Sequence, residues 1–163
     1  METKKFTRLS MLLALSVVLN IVENMIPLFN GTIPGVKLGL ANIVILFVLY
    51  EYSIRDAIFL SITRVFLVSI LYSGIFSVSF FLSLSGAILS IIAMSLAKKY
   101  TKLSIVGVSI IGSLFHSLGQ IIMVAIFIKM ISAFNYLPII ILFAIPTGII
   151  TGIISKELIK YFE

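Results

Sequence analysis

The chain has 163 residues; 61% are hydrophobic and 11% charged, with twelve Lys and Arg against six Asp and Glu, and a mean hydropathy of +1.26. A soluble fold needs more polar surface than this to cover itself, so the apolar residues must face lipid as well as one another. At about 20 residues per helical crossing, six spans with short connections take up nearly the whole sequence. The expectation is one transmembrane domain over 1–163, an all-α polytopic bundle of about six membrane helices, with no room for a soluble domain.

The absence of cysteine excludes disulfides, thiolate metal sites and a cysteine nucleophile. The net charge of +6 lies in connections between apolar runs. That pattern follows the positive-inside rule rather than a nucleic-acid footprint, so no nucleic-acid partner is expected.

The first helix is predicted over 6–28, with Pro27 marking its end. The opening METKKFTR before an apolar run has the outline of a signal peptide. The run is too long, however, contains Glu23 and Asn24, and lacks a small-x-small cleavage site. A turn-rich loop from Asn30-Gly31 to Pro34-Gly35 leads to a short second helix, 36–50. A polar turn from Glu51 to Asp56 precedes helix three, 56–72. Ser73-Gly74 breaks the chain before helix four, 76–97; Lys98, Lys99 and Lys102 mark the next loop; helix five covers 103–128 and helix six 138–158. No run alternates polar and apolar residues as a membrane barrel would.

Counting Lys and Arg sets the orientation. One side receives Lys4, Lys5, Arg8, Arg55, Lys98, Lys99, Lys102, Lys156 and Lys160; the other receives Lys37 and Lys129. The first side is expected to be cytoplasmic, with both termini inside a cell membrane. Making the short second helix re-entrant would put Lys98, Lys99 and Lys102 outside, against that bias.

Polar side chains in hydrocarbon are costly and face protein or a cavity. Asn20, Glu23 and Asn24 share a helix face at i, i+3, i+4. Lys37 and Asn42 begin helix two, Arg64 lies near the middle of helix three, and His116 and Gln120 are one turn apart on helix five. Ser83 and Ser85 sit beside Phe80 and Phe81 in helix four. All fall in the outer half or near the midplane, where they predict a cavity with aromatic walls and a few polar anchors. Arg64, Lys37 and His116 suit an acidic group, and Glu23 suits Arg64 or a hydrogen-bond donor. The plainer alternatives are Glu23 at the interface in water, Arg64 snorkelling or paired structurally with Glu23, His116 as an interhelical hydrogen-bonder, Lys37 as a loop charge, and serines bonded to their own helices.

Catalysis has little support. Holding the magnesium of diphosphate chemistry takes several carboxylate oxygens, and Asp56, in a turn, is the one aspartate. A single histidine makes no His-rich metal site, no Ser-His-Asp set is in reach, and no GxxxxGK[ST] loop is present. No cofactor is expected, and any pumping energy must come from a partner or an ion gradient.

Small residues mark close helix approach. Ser10 and Ala14 lie one turn apart in helix one, Ser109, Ser113 and Ser117 form a stripe on helix five, and Gly148 to Gly152 is a GxxxG pattern extended by Thr147, Thr151 and Ser155. The expectation for these stripes is internal packing of the bundle, with a partner surface as the alternative.

Six short helices, the small-xxx-small pair early in helix one and a polar outer cavity resemble the S components of energy-coupling factor transporters. More closely, Pro34-Gly-Val-Lys-Leu-Gly-Leu-Ala-Asn42, then Arg64, then Phe81-Leu-Ser-Leu-Ser-Gly86 resemble the Gx transporter family, often labelled heptaprenyl diphosphate synthase component I. The resemblance implies the S-component fold and capture of a small molecule, a vitamin or an isoprenoid- or quinone-related compound. It also implies docking on a membrane T subunit driven by two cytoplasmic ATPases. The T-contacting pair of that family maps to Ser10 and Ala14, with Ser where the family has Ala. The synthase label implies instead a non-catalytic membrane subunit serving the side chain of menaquinone. A solitary ion-coupled carrier ranks last, because helices one to three and four to six show no convincing repeat.

Overall fold

The computed structural model describes residues 2–25, 39–129 and 131–162. They form six helices: α1 (Glu2–Met25), α2 (Leu40–Glu51), α3 (Ile54–Val68), α4 (Val78–Tyr100), α5 (Ile105–Ile128) and α6 (Leu137–Phe162). A π-helical turn, Ser69–Ser73, continues α3, and a 3-10 turn, Ile131–Tyr136, leads into α6. Among the described residues there is no strand.

Several boundaries differ from the sequence expectation. α1 starts at Glu2 because nothing in Thr3-Lys4-Lys5 interrupts a helix; hydropathy marks the lipid boundary, not the helix end. The expected end of helix one (26–28), the loop around Pro34 and the start of helix two (36–38) lie outside the described residues. α4 runs through Lys98 and Lys99 to Tyr100, which puts cations at its negative C-terminal end. α6 continues to Phe162, with Pro146 inside it.

Four helical stretches are long and apolar enough to cross a membrane: Thr3–Met25, Val78–Tyr100, Ile105–Ile128 and Ile131–Phe162. The lipid-facing surface is apolar: Met11, Leu15, Val18, Val22 and Met25 stand out along α1, as do Ile88, Ile92 and Leu96 on α4. Ser16, Glu23, Arg64, Ser90, Gln120 and Ser155 are buried inside. Apolar outside and polar inside is the distribution of a multi-pass membrane protein.

The helices alternate in direction. Lys5 Nζ is 2.7 Å from Asp56 Oδ2, which joins the start of α1 to the start of α3. Lys98 Nζ donates to the Leu49 carbonyl at 2.6 Å, which joins the ends of α4 and α2. The Phe47 and Phe162 rings meet edge-on at 5.3 Å, bringing in the end of α6. Both termini therefore lie at one end of the bundle, together with Lys98–Lys102, as the charge count anticipates.

The short second helix is the core. α2 has twelve residues, about 18 Å, too short for a ~30 Å hydrocarbon layer. Eight of them are buried, covering every face, the pattern of a helix enclosed by others. Val44 to Leu49 pack against Ala57 and Leu60 of α3, Ile91, Met94 and Ala97 of α4, Val108 of α5 and Ile159 of α6. Around this axis α3 packs on α4, α4 on α5, and α5 on α6, while α1 packs on α2 and α3.

The α4–α5–α6 seam is close and hydrogen-bonded. Ser90 donates to the Gly112 carbonyl at 2.8 Å, and Ser85 to that of Gly119 at 3.0 Å. Ser113 donates to the Ala144 carbonyl at 2.6 Å, and the Ser109 and Thr151 hydroxyls meet at 2.8 Å. A Cβ on Gly148 would lie 2.8 Å from Ile110 Cα, and one on Gly152 2.8 Å from Val106 Cα. The GxxxG stripe therefore packs inside the bundle against α5.

Candidate functional site

All six helices contribute to one cavity of about 40 Å³. Asn20 and Glu23 come from α1, Ala41 and Asn42 from the start of α2 beside Gly39, and Arg64 from α3. Met94 comes from α4, residues between Ser109 and Ser117 from α5, and residues between Ile140 and Thr151 from α6.

Local structure explains each placement. The i, i+3 spacing of Asn20 and Glu23 turns both toward the bundle axis. Gly39 stands before α2 with φ of 76°, a left-handed value that suits glycine. Its N–H donates to Glu23 Oε1, so the carboxylate sits at the positive end of α2. Arg64 lies about 15 Å along α3 from Ile54 at ~1.5 Å per residue. It is 2% exposed, and the Glu23 charge acts on it. His116 occupies the middle of α5 and lies against Gly86 of α4, where a Cβ would come within 2.9 Å of both His116 Cε1 and its carbonyl oxygen. The absence of a side chain at 86 is what lets the imidazole sit between α4 and α5.

Asn20, Glu23, Asn42, Arg64 and His116, all anticipated from sequence, thus converge on one cavity. Asn24 and Gln120 do not line it. Asn24 Nδ2 donates to Asn20 Oδ1 at 3.0 Å and so holds a lining residue from behind. Gln120 is buried one turn beyond His116, beside Gly119 at the α4 crossing, and its Oε1 has no hydrogen-bond partner among the described residues. Lys37 lies outside the described residues.

The expected aromatic wall is largely elsewhere. Phe80 and Phe81 meet edge-on at 5.2 Å and join Phe66, Phe76 and Phe127 in a separate cluster, and Ser85 bonds α5. Phe143 supplies the aromatic surface of the cavity instead. Ser109, Ser113, Thr147 and Thr151, read from sequence as packing residues, line the cavity; Ser109, Ser113 and Thr151 also bond α5 to α6, while Thr147 bonds its own helix at the Ala144 carbonyl. A hydroxyl stripe on two adjacent helices was the available signal, and it serves both ends.

Ser10 and Ala14 are both exposed. Ser10 lies in a groove between α1 and α3 with Phe6, Leu13 and Phe59, far from the cavity.

Among the described residues no three His, Asp or Glu side chains cluster as metal ligands. Arg64, Asn42 and the hydroxyls give the cavity hydrogen-bond donors in excess of charge, a chemistry of binding and orientation.

No curated protein and no solved structure matches the chain. The family model described as heptaprenyl diphosphate synthase component I matches residues 12–158. This multi-pass membrane protein, with a polar cavity at the centre of its helices, belongs to the heptaprenyl diphosphate synthase component I family.

Proposed function

We propose that this chain is a substrate-binding membrane subunit that captures a small molecule and works with a partner that supplies energy. The observation that carries the reading is the convergence of polar residues from five of the six helices on one cavity, which α4 closes with Met94. Polar groups at membrane depth cost free energy, and a bundle built only to pack has no need to gather them around a space. A partner ATPase module fits the absence of a P-loop in the chain. Ser10 and Ala14 form its proposed docking face, since they leave α1 exposed at the end that holds the termini.

The orientation belongs to the same reading: the end carrying both termini and Lys98–Lys102 is cytoplasmic in a cell membrane. The chain has no cysteine, so single cysteines report cleanly. An impermeant maleimide added to intact cells should label a cysteine placed at Lys129 and spare one at Tyr161; the reverse pattern refutes the orientation.

The family description favours a second reading, a non-catalytic membrane subunit that accompanies a prenyl diphosphate synthase. Native mass spectrometry of the mildly solubilised protein separates the two. A bound small molecule or an ATPase module supports the first, and a soluble synthase with no cargo supports the second.

A further inference from the structure

Among the described residues, Arg64 is a buried cation with an unsatisfied donor. Its side chain is 2% exposed, and its Nε is enclosed with no hydrogen-bond partner among the described residues. A guanidinium cannot shed its proton to ease burial, so a buried one needs acceptors. Glu23 acts on it through charge but gives it no hydrogen bond at Nε. The Glu23 carboxylate instead accepts from Gly39 N–H.

The start of α2 faces the same cavity. Gly39, Ala41 and Asn42 line it with Arg64, and no side chain of Gly39 caps the helix. The amides of Leu40 and Ala41, first in the helix, have no acceptor within it, and this end carries partial positive charge.

We propose that these features form one site for a ligand oxyanion, of carboxylate or phosphate type, seated between the Arg64 guanidinium and the first amides of α2. The proposal rests on the reading of the chain as a ligand-binding subunit and names the ligand class. A volume of about 40 Å³ equals roughly three water positions at ~10–15 Å³ each. One oxyanion fits that space; an isoprenoid chain does not, so the rest of any larger ligand lies outside it. Arg64 and Glu23 already balance in charge, so directed hydrogen bonds and the helix end, rather than net charge, hold the anion. A planar donor fork suits a two-oxygen face, which explains Arg here rather than Lys.

The test uses the full chain in a neutral maltoside detergent, which carries no phosphate. Thermal unfolding is followed while inorganic phosphate, acetate or short-chain phosphatidic acid is titrated, with chloride matching ionic strength. Saturable stabilisation by an oxyanion but not by chloride is expected. A response to phosphate or acetate assigns a soluble anion; a response to phosphatidic acid alone assigns a lipid head group. Arg64→Met should weaken the apparent affinity roughly tenfold or more; it leaves the buried Glu23 carboxylate without its balancing charge, so the affinity is read once the variant is shown to be folded. If Arg64→Met does not fold, Arg64→Lys serves: it keeps the charge, loses the fork, and should bind severalfold more weakly. No response to any oxyanion, or equal responses in parent and variant, overturns the proposal. A neutral molecule found bound by mass spectrometry, with no oxyanion response, overturns the ligand class and leaves the binding reading standing. Synthase co-purification with the response intact overturns the transport reading and keeps the site.

Discussion

The α4–α5 crossing makes a sharp prediction at Gly119. A Cβ there would lie 2.6 Å from the Ser85 carbonyl oxygen, 2.8 Å from its carbon and 2.9 Å from Gly86 Cα. All three are backbone atoms, so no side chain can turn aside and the helices must separate. Separation also stretches the 3.0 Å bond from Ser85 Oγ to the Gly119 carbonyl. Overpacking of this kind costs about 1–3 kcal/mol, and the lost bond adds ~0.6 kcal/mol, the typical interhelical value in membranes. Gly119→Ala should therefore destabilise by about 2–4 kcal/mol despite the better helix propensity of Ala. Gly107→Ala on the same helix is the control. Its Cβ would meet only the Leu103 side chain, at 3.3 Å, and the change should be neutral or slightly stabilising. Equilibrium unfolding in mixed detergent measures both. Equal stability of Gly119→Ala and the parent, or equal damage from both substitutions, refutes the account of the crossing.

Three further outcomes follow from named contacts. The buried Ser109–Thr151 pair, 2.8 Å apart, should show a coupling of about 0.5–1.5 kcal/mol in a double-mutant cycle with Ala and Val; zero coupling would mean each hydroxyl is served by its own helix. Lys98→Met removes the donor to the Leu49 carbonyl and the cation 4.7 Å above the Tyr50 ring. It should cost about 1–2 kcal/mol, with Arg restoring less than the full amount because its fork does not reproduce a single 2.6 Å bond. Ser53 accepts from Asp56 N–H at 3.1 Å and caps α3, so Ser53→Ala should cost about 1 kcal/mol. Lys5→Ala, which loses only a half-exposed ion pair, should cost less, ~0.2–1 kcal/mol; the opposite ranking by thermal unfolding would show that the pair, not the cap, fixes the α2–α3 turn.

Much of this bundle is legible in the sequence because lipid imposes simple rules. Apolar runs bounded by Lys and Arg locate α1, α4, α5 and α6, and the single-sided charge count anticipates that both termini share an end. The cavity residues were legible for a related reason: Asn20, Glu23, Asn42, Arg64 and His116 are too polar for hydrocarbon, so each had to point inward. Depth was the missing coordinate. Gln120 shares a helix face with His116, but four residues add about 6 Å along the axis, enough to leave the cavity for the α4 contact. The centrality of α2 was equally hidden, since an all-apolar helix reads alike whether lipid or other helices surround it; the sequence expectation of 36–50 was short, and the structure shortens it further to twelve residues. Phe80 and Phe81 show the converse, apolar residues whose partners only the packing of α3 to α5 could reveal.

The way this bundle treats its other polar groups bears on Arg64. Ser85, Ser90 and Ser113 each donate to a carbonyl on a neighbouring helix, and Ser155 reaches the Ile43 carbonyl at 3.2 Å. Lys98, a cation near a helix end, is given the Leu49 carbonyl and an aromatic face. Carbonyl acceptors are therefore within the means of this fold at several depths, although the Ser95 hydroxyl is also buried without a partner among the described residues. Arg64, deeper and permanently charged, receives none from the described residues at Nε, and it stands instead beside a cavity that the start of α2 also lines. A purely structural arginine at that depth would be expected to have acquired a carbonyl as Lys98 did. Leaving it open costs stability in the empty protein, and that cost is recovered only when an acceptor arrives from outside the chain. Arg64→Lys separates the roles: it keeps the charge that balances Glu23 and loses the planar fork, so it is expected to fold and to bind more weakly, a combination that a purely structural role for the side chain would not produce.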